Sequence, residues 1–225
     1  MASKFIFIRH GQLTKPYSNH LRMGYFELAN LASGKADPGL AGNAKELFHK
    51  QSINLNFSKV EIIYYNNSGK QSRRSFESAK IIAAILKKNL HKTISLKGLA
   101  DIHEINFDLK AILPLSIFKR EGMPSLRSAL YYSILNGGRH SESVKSLNKR
   151  IDKIQSVIRY HARNRTDALF VTHDFFMKFL EMHIKSRQSF SGLTILKLNQ
   201  TKLNLYFGGY ITNDKMTKIL KRFGE

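Results

Sequence analysis

Two histidines and several arginines lie in polar clusters that follow predicted β-strands. The clusters are Arg9-His10-Gly11-Gln12 after the strand Phe5–Ile8, Arg73-Arg74 after the strand Val60–Tyr65 and its polar loop, and His173-Asp174 after the strand Ala168–Thr172. Ligands of open α/β sheets bind at the carboxyl ends of the strands, close to helix N-termini. We therefore expect the three clusters to meet at one end of a sheet.

The residue types in these clusters suit a phosphoryl group. Arginine guanidinium groups hold phosphate oxygens through bidentate, charge-assisted hydrogen bonds. A neutral histidine nitrogen can attack phosphorus, and a second histidine can donate a hydrogen bond. The clusters therefore predict a phosphate site with a histidine nucleophile.

Helical periodicity between the strands predicts an α/β fold with a mostly parallel sheet. The predicted helices are Ser72–Leu90, Ser141–Tyr160 with Ser141 as its N-cap, and Phe175–Ile184; two further strands are predicted at Leu193–Leu198 and Leu203–Phe207. Segments 13–40 and 105–140 show less regular patterns and are expected around the mouth of the site. With no linker or repeat in the sequence, residues 1–225 are predicted to form a single domain.

Composition and charge exclude several classes of protein. Hydrophobic residues make up 42% of the 225 residues, which is too many for a disordered basic chain. The absence of cysteine excludes a cysteine nucleophile, a disulfide framework and thiolate-bound metal. The net charge of +21 is spread over both halves of the chain, so it attracts anions without selecting one. No apolar run is long enough for a leader or a membrane span, so a cytoplasmic protein is expected.

The ordered clusters resemble the landmarks of the histidine phosphatase superfamily, in its phosphoglycerate mutase-like branch. The matching segments are Phe5–Gln12 for the N-terminal signature, Arg74–Ala79 for the second arginine, Glu104–Phe107 for the proton donor, Ser141–Ser143 for a helix start, and Leu169–His173 for the second histidine. In the second-arginine segment, Ser78 and Ala79 follow Arg74 by the family's spacing, which favours Arg74 over Arg73. The resemblance covers residues 4–180.

The resemblance implies a three-layer α/β/α fold and a phosphatase that needs no metal or cofactor. His10 would become phosphorylated, while Arg9, Arg74 and His173 would hold the phosphoryl oxygens. Glu104 fits the register of the proton donor, although its basic surroundings would lower its pKa. Asp174 is the alternative acid, because a His-Asp pair supplies the donor in the longer acid-phosphatase branch.

Several residues depart from the family pattern. The family usually has Thr or Ser where this chain has Leu13, and Gly where it has Asp174. A phosphate-contacting Asn is expected at Pro16; Asn19 is the nearest substitute, and Gln12 is a further candidate contact. Arg73 is interpreted as a solvated helix residue and His103 as a surface or hydrogen-bonded loop residue.

Two other functions are compatible with the same landmarks. One is mutase-type phosphoryl transfer, although the arginine-rich segment that mutases carry after the acid is missing here. The other is a non-catalytic basic module that binds nucleic acid or another anionic surface, which the retained histidines and arginines disfavour. The expected partner is a phosphorylated, acidic substrate, either a small ester or a phosphoprotein. Residues 116–127 and the pair Tyr131-Tyr132 are expected to cover the mouth of the site.

Overall fold

The structure is a computed structural model, and it describes residue 3 and residues 5–18, 23–52 and 59–186. The predicted strands Leu193–Leu198 and Leu203–Phe207 lie outside these residues, as does Asn19.

A parallel sheet of four strands brings the predicted clusters together. The strands are β1 (Phe5–Arg9), β2 (Val60–Tyr65), β3 (Ser95–Gly98) and β4 (Asp167–Thr172), in the spatial order β1-β4-β2-β3. In the register, Arg9 lies opposite Thr172, and Tyr65 lies opposite Val171. The ends of β1 and β2 therefore flank the end of β4, and the α/β class predicted from the sequence is confirmed.

Eight α-helices and a short 3₁₀ helix connect these strands within the described residues. They are α1 (Tyr25–Ser33), α2 (Ala44–Ser52), α3 (Ser72–Leu90), the 3₁₀ helix (Ala100–Ile102), α4 (Leu109–Ile112), α5 (Leu115–Glu121), α6 (Met123–Leu135), α7 (Val144–Arg163) and α8 (Asp174–Ser186). The prediction for α3 matches its observed bounds, and the prediction for α8 differs from them by one residue at its start and two at its end.

The predicted N-cap of α7 is wrong. Ser143 caps this helix, because its hydroxyl accepts a hydrogen bond from the backbone N–H of Ser146 at 3.2 Å. Ser141 instead forms an isolated antiparallel bridge with Phe107. The first turn therefore begins two residues later than the Ser-Glu-Ser pattern suggested.

The segments predicted to be less regular contain helices. Helix α1 lies within 13–40, and α4, α5 and α6 lie within 105–140. In α6, Pro124 stands in the first turn, where a backbone N–H is not needed, so it does not break the helix. Tyr131 of α6 is buried in the core, whereas Tyr132 is exposed, so Tyr131 does not cover the site as expected.

The helices cover both faces of the sheet, because successive strand residues point to opposite sides. Phe5, Phe7 and Phe170 pack on one face against apolar side chains of α6, α7 and α8. Ile6, Leu169 and Val171 pack on the other face, chiefly against α3. No helix among the described residues is long and apolar enough to cross a membrane.

Candidate active site

The register of β1 and β4 places His10 and His173 side by side. Each histidine follows its strand directly, and the backbone N–H of His10 donates to the carbonyl of Thr172 at 3.0 Å. The ring centroids are 5.1 Å apart, and the ring planes are inclined at 57°. Both side chains are buried, so their chemistry is separated from bulk water.

The hydrogen bond of His10 selects its tautomer. Its Nδ1 lies 2.8 Å from the carbonyl oxygen of Gly11. Because a carbonyl can only accept, Nδ1 must carry the proton of the neutral ring. The lone pair is therefore on Nε2, which is the atom available for nucleophilic attack.

Asn66, directly after β2, selects the tautomer of His173. Its amide orientation is fixed, since Nδ2 donates to the carbonyl of Lys70 at 2.9 Å and Oδ1 accepts from the N–H of Ser68 at 2.9 Å. The same Nδ2 lies 3.3 Å from Nε2 of His173, which must therefore accept. The proton of His173 is left on Nδ1, which has no partner among the described residues.

Burial keeps both histidines neutral. The pKa of His10 is held well below 6.5, first by desolvation and then by the positive charge of Arg74. The pKa of His173 is lowered in the same way, by burial and then by Arg74 and Arg9. Both rings are therefore uncharged at neutral pH, and His10 retains its nucleophilic lone pair.

Arg74, in the first turn of α3, supplies a buried cation. Its Nη2 donates a hydrogen bond to Oε1 of Gln71, while its Nε has no partner among the described residues. Burial lowers the pKa of Arg74 to about 10, so the guanidinium remains charged at neutral pH. The neighbouring Arg73 is exposed and pairs with Glu77 at 2.8 Å, as its interpretation as a solvated residue predicted.

Two serines of α3 tie the strand ends together. The hydroxyl of Ser78 accepts from the N–H of Gly11 at 2.9 Å and donates to the carbonyl of Arg74 at 2.7 Å. The hydroxyl of Ser75 accepts from the N–H of Asn66 at 2.9 Å and donates to the carbonyl of Val171 at 2.7 Å. These bonds hold the backbone beside His10, Arg74 and His173 in one arrangement.

Gly11 allows α2 to pack closely behind His10. A Cβ on this residue would lie 2.8 Å from Cε2 of Phe48, closer than side-chain atoms normally approach. The glycine of the Arg-His-Gly sequence is therefore needed for close packing rather than for a special backbone angle.

The carboxylate of Glu104 lies at the N-terminus of α8, the helix that follows β4 and His173. Its Oε1 accepts from the N–H groups of Ile105 at 3.0 Å and Phe176 at 2.9 Å, and its Oε2 accepts from Phe175 at 3.3 Å. Burial nevertheless raises the pKa of Glu104, although its hydrogen bonds and Arg74 act in the opposite direction. The expectation that basic surroundings would lower this pKa is wrong, because loss of solvation outweighs them.

Asp174, the alternative acid, lies beside Arg127 of α6. Its Oδ2 is 3.6 Å from Nη2 of Arg127, and both side chains are largely buried. Its Oδ1 has no hydrogen-bond partner among the described residues. Helix α6 therefore reaches the site through Arg127.

The remaining candidates are less directly connected with the two histidines. Gln12 is exposed, and its amide donates to the carbonyl of Ser18 at 3.3 Å. His103 bonds through Nδ1 to the carbonyl of Glu104 at 2.6 Å, which fits its interpretation as a hydrogen-bonded loop residue. No group of three or more metal-ligating side chains occurs in the part of the chain that the structure describes.

Sequence reasoning placed Asn66 in the polar loop after the second strand without assigning it a role, and it missed Ser75. Asn66 directly follows a predicted strand, which is the signal that identified His10 and His173. It stands in a run of turn-forming residues, however, and a turn explains an asparagine without any functional role.

Comparisons with known proteins identify the fold through structure alone. No family model matches the sequence, and no curated protein matches it. A mycobacterial hydrolase structure matches with a TM-score of 0.57 and 11% identity, over 97% of this chain and 96% of that chain. A mycobacterial glucosyl-3-phosphoglycerate phosphatase in complex with inorganic phosphate matches with a TM-score of 0.54 and 14% identity, over 81% of this chain and 79% of that chain.

A third similar structure is YhfR of Bacillus stearothermophilus. It has a TM-score of 0.51 and 17% identity, over 82% of this chain and 81% of that chain. At such identities the likeness is one of fold. The chain shares the α/β fold of these structures, with a parallel four-stranded sheet flanked by helices, as its sequence predicted.

Proposed function

We propose that this protein is a phosphatase that hydrolyses phosphate monoesters through a phosphohistidine on His10. The observation that supports this best is a pair of buried N–H groups without partners among the described residues, Nε of Arg74 and Nδ1 of His173. A buried donor left unpaired costs about 1–3 kcal/mol, so a ligand that accepts from both would be strongly favoured. A phosphoryl group meets this requirement, and the ring of His10 lies beside that of His173, with the centroids 5.1 Å apart.

In the first step, Nε2 of His10 attacks phosphorus in line with the leaving oxygen. The N–P bond forms as the P–O bond to the leaving group breaks. Arg9, Arg74 and His173 stabilise the negative charge on the three equatorial oxygens. Glu104, whose pKa is raised by burial, gives its proton to the departing alkoxide.

In the second step, water replaces the alcohol. The carboxylate of Glu104 removes a proton from the water as its oxygen attacks phosphorus. The N–P bond then breaks, inorganic phosphate leaves, and His10 regains its neutral ring. Both His10 and Glu104 are thus restored for the next turnover.

Turnover of an aryl phosphate tests the nucleophile. We expect the wild-type protein to release phosphate and His10→Ala to show none above background. Acid-labile labelling from a ³²P-phosphate ester should mark the wild type but not His10→Ala. His140 is exposed, so His140→Ala is the matched control and should retain both activities. Wild-type inactivity across a broad panel of phosphate esters, or labelling that survives His10→Ala, would contradict the proposal.

Leaving-group dependence tests the acid. Glu104→Gln should slow turnover of an alkyl phosphate by about 10²–10⁴-fold, because an alkoxide needs protonation. It should have little effect on 2,4-dinitrophenyl phosphate, whose leaving group is stable as an anion. If Asp174→Asn shows this pattern instead, then Asp174 is the proton donor.

The substrate panel should include esters of glycerate and sugars. The mycobacterial structure of the same fold is that of a glucosyl-3-phosphoglycerate phosphatase, which makes this class a reasonable starting point. Transfer of the phosphoryl group to an added phosphoglycerate in preference to water would instead indicate a mutase.

A further inference from the structure

Arg150 and Glu142 form a buried ion pair that the proposed reaction does not use. Arg150 lies on α7, with its side chain 7% exposed, and its Nη1 is 2.6 Å from Oε2 of Glu142. Neither residue belongs to the set that would bind phosphate. A buried charge pair is costly to desolvate, so its position calls for an explanation.

Arg150 binds the loop that leads into Glu104. Its Nε donates to the carbonyl of Asp101 at 2.9 Å, and its Nη2 donates to the carbonyl of His103. The three donor bonds of Arg150, including that to Glu142, use the planar fork of the guanidinium, which lysine cannot reproduce.

Glu142 binds the same loop on the other side of Glu104. Its Oε2 accepts from the N–H of Asn106 at 3.0 Å, and its own N–H donates to the carbonyl of Asn106 at 2.9 Å. The loop is therefore fixed at positions 101, 103 and 106, which bracket the carboxylate.

Arg150 also contacts the helix that receives Glu104. Its guanidinium carbon lies 4.2 Å from the ring centroid of Phe176. The backbone N–H of Phe176 is the donor to Oε1 of Glu104 at 2.9 Å. One buried cation thus packs against both the loop that carries the carboxylate and the residue that binds it.

We propose that Arg150, held by Glu142, is a positioning residue that aligns Glu104 with the leaving group. This inference rests on the proposed phosphatase function. Arg150 would act through its bonds to the carbonyls of Asp101 and His103, outside the set of residues proposed to hold the phosphoryl group. Because misplacing a reacting group by about 1 Å can cost about 100-fold in rate, loosening this loop should weaken proton transfer specifically.

The test compares two substrates that differ in their need for the acid. Arg150→Lys keeps the positive charge but loses the planar set of N–H donors that binds Asp101, His103 and Glu142. It should lower kcat for an alkyl phosphate by about 10–100-fold, with KM little changed. It should lower kcat for 2,4-dinitrophenyl phosphate by less than about 3-fold, because that leaving group does not need the proton.

Lys153 provides the matched control on the same helix. Its Nζ pairs with the side-chain Oδ1 of Asp101 at 3.2 Å rather than with a backbone carbonyl of the loop, and its side chain is 70% exposed. Lys153→Met should change neither rate by more than about 2-fold, as expected for an exposed ion pair.

A double mutant distinguishes positioning from general damage. If Arg150 acts through Glu104, adding Arg150→Lys to Glu104→Gln should cause no further loss on the alkyl phosphate. Glu142→Gln retains an acceptor for Asn106 and should reproduce the substrate-selective loss if Arg150→Lys fails to fold. Thermal unfolding of each variant identifies such a failure.

Equal losses on the two substrates, or additive losses in the double mutant, would overturn the inference. In that case the wild type would still show His10-dependent turnover, and the proposed function would stand. Wild-type inactivity on both substrates would instead overturn the proposed function.

Discussion

The imidazole rings of His10 and His173 lie 5.1 Å apart at the carboxyl ends of adjacent parallel strands. Burial is the first cause of the lowered pKa of both rings, and the positive charge of Arg74 acts in the same direction; His173 further lowers the pKa of His10. The arrangement therefore keeps a neutral nucleophile beside fixed positive charge. A phosphoryl group can be held by the cations while the lone pair of His10 remains available for attack.

The rate of alkyl phosphate hydrolysis should have an acidic optimum. The pKa of His10 lies well below 6.5, so kcat/KM should fall only when the pH drops far enough to protonate it. Burial raises the pKa of Glu104 above 4.5, so the rate should also fall when the pH rises past this raised pKa and the acid is lost. A pH–rate profile in Glu104→Gln should lack the alkaline limb. Persistence of that limb in the variant would assign it to another group.

The free energy of unfolding should decrease as the pH falls below 6.5. Four buried or half-buried histidines among the described residues have a lowered pKa: His10, His103, His161 and His173. The unfolded chain therefore binds more protons than the native protein in this range, which favours unfolding at acidic pH. Between the native and the unfolded pKa of a fully buried histidine, the free energy of unfolding changes by about 1.4 kcal/mol per pH unit.

Urea unfolding at a series of pH values measures this slope. His10→Asn should reduce it by about 1.4 kcal/mol per pH unit over the range in which only the unfolded histidine is protonated. An unchanged slope would mean that His10 is protonated in the native protein, which would also remove its lone pair.

Substitution of Arg74 should weaken phosphate binding, and the same substitution of its neighbour Arg73 is the matched control. Arg74 is 4% exposed with an unpaired Nε among the described residues, whereas the side chain of Arg73 is 65% exposed and bonded to Glu77. Loss of a charge-assisted bond of about 1.5–3 kcal/mol predicts that Arg74→Lys weakens inhibition by inorganic phosphate by about 10–100-fold. Arg73→Lys should leave the inhibition constant within about 2-fold of wild type. Comparable losses in both variants would exclude Arg74 as the specific phosphate contact.

The sequence predicted the strand-end residues because their signal is local. An apolar run followed by Arg9-His10 or His173 indicates both the strand and the place where it stops. Arg150 was missed because a basic residue on a helix usually faces solvent, and only tertiary packing shows that this one is buried. The pKa of Glu104 was predicted in the wrong direction for a related reason, since charge can be counted in a sequence but burial cannot.

Elements with weak apolar patterns were missed too. Strand β3 has the sequence Ser-Leu-Lys-Gly and is largely exposed, so its residues do not show the buried run typical of a parallel strand. It is identified only by its pairing with β2.

Ser78 should contribute to both stability and activity. Its hydroxyl is the acceptor for the buried N–H of Gly11, next to the nucleophile. Ser78→Ala leaves that N–H unpaired and should lower the free energy of unfolding by about 1–3 kcal/mol. Because the same bond holds the backbone beside His10, kcat should fall as well. Ser156→Ala is the control, since this exposed hydroxyl bonds only to the carbonyl one turn earlier. A stability loss in Ser78→Ala with unchanged kcat would show that the bond does not position the nucleophile.

The charge of +21 should increase the rate at which anionic substrates are captured. Exposed charges act over about 10 Å at 0.1 M salt, so raising the salt from about 20 mM to about 500 mM should lower kcat/KM. The decrease should be steeper for an ester that carries a second anionic group than for a simple monoester, while kcat should change little. Nucleic-acid binding by His10→Ala, measured over the same salt range, tests the alternative that the protein is a non-catalytic basic module. Strong binding with a steep salt slope, together with kcat/KM values that salt does not affect, would indicate that the charge serves nucleic acid rather than substrate capture.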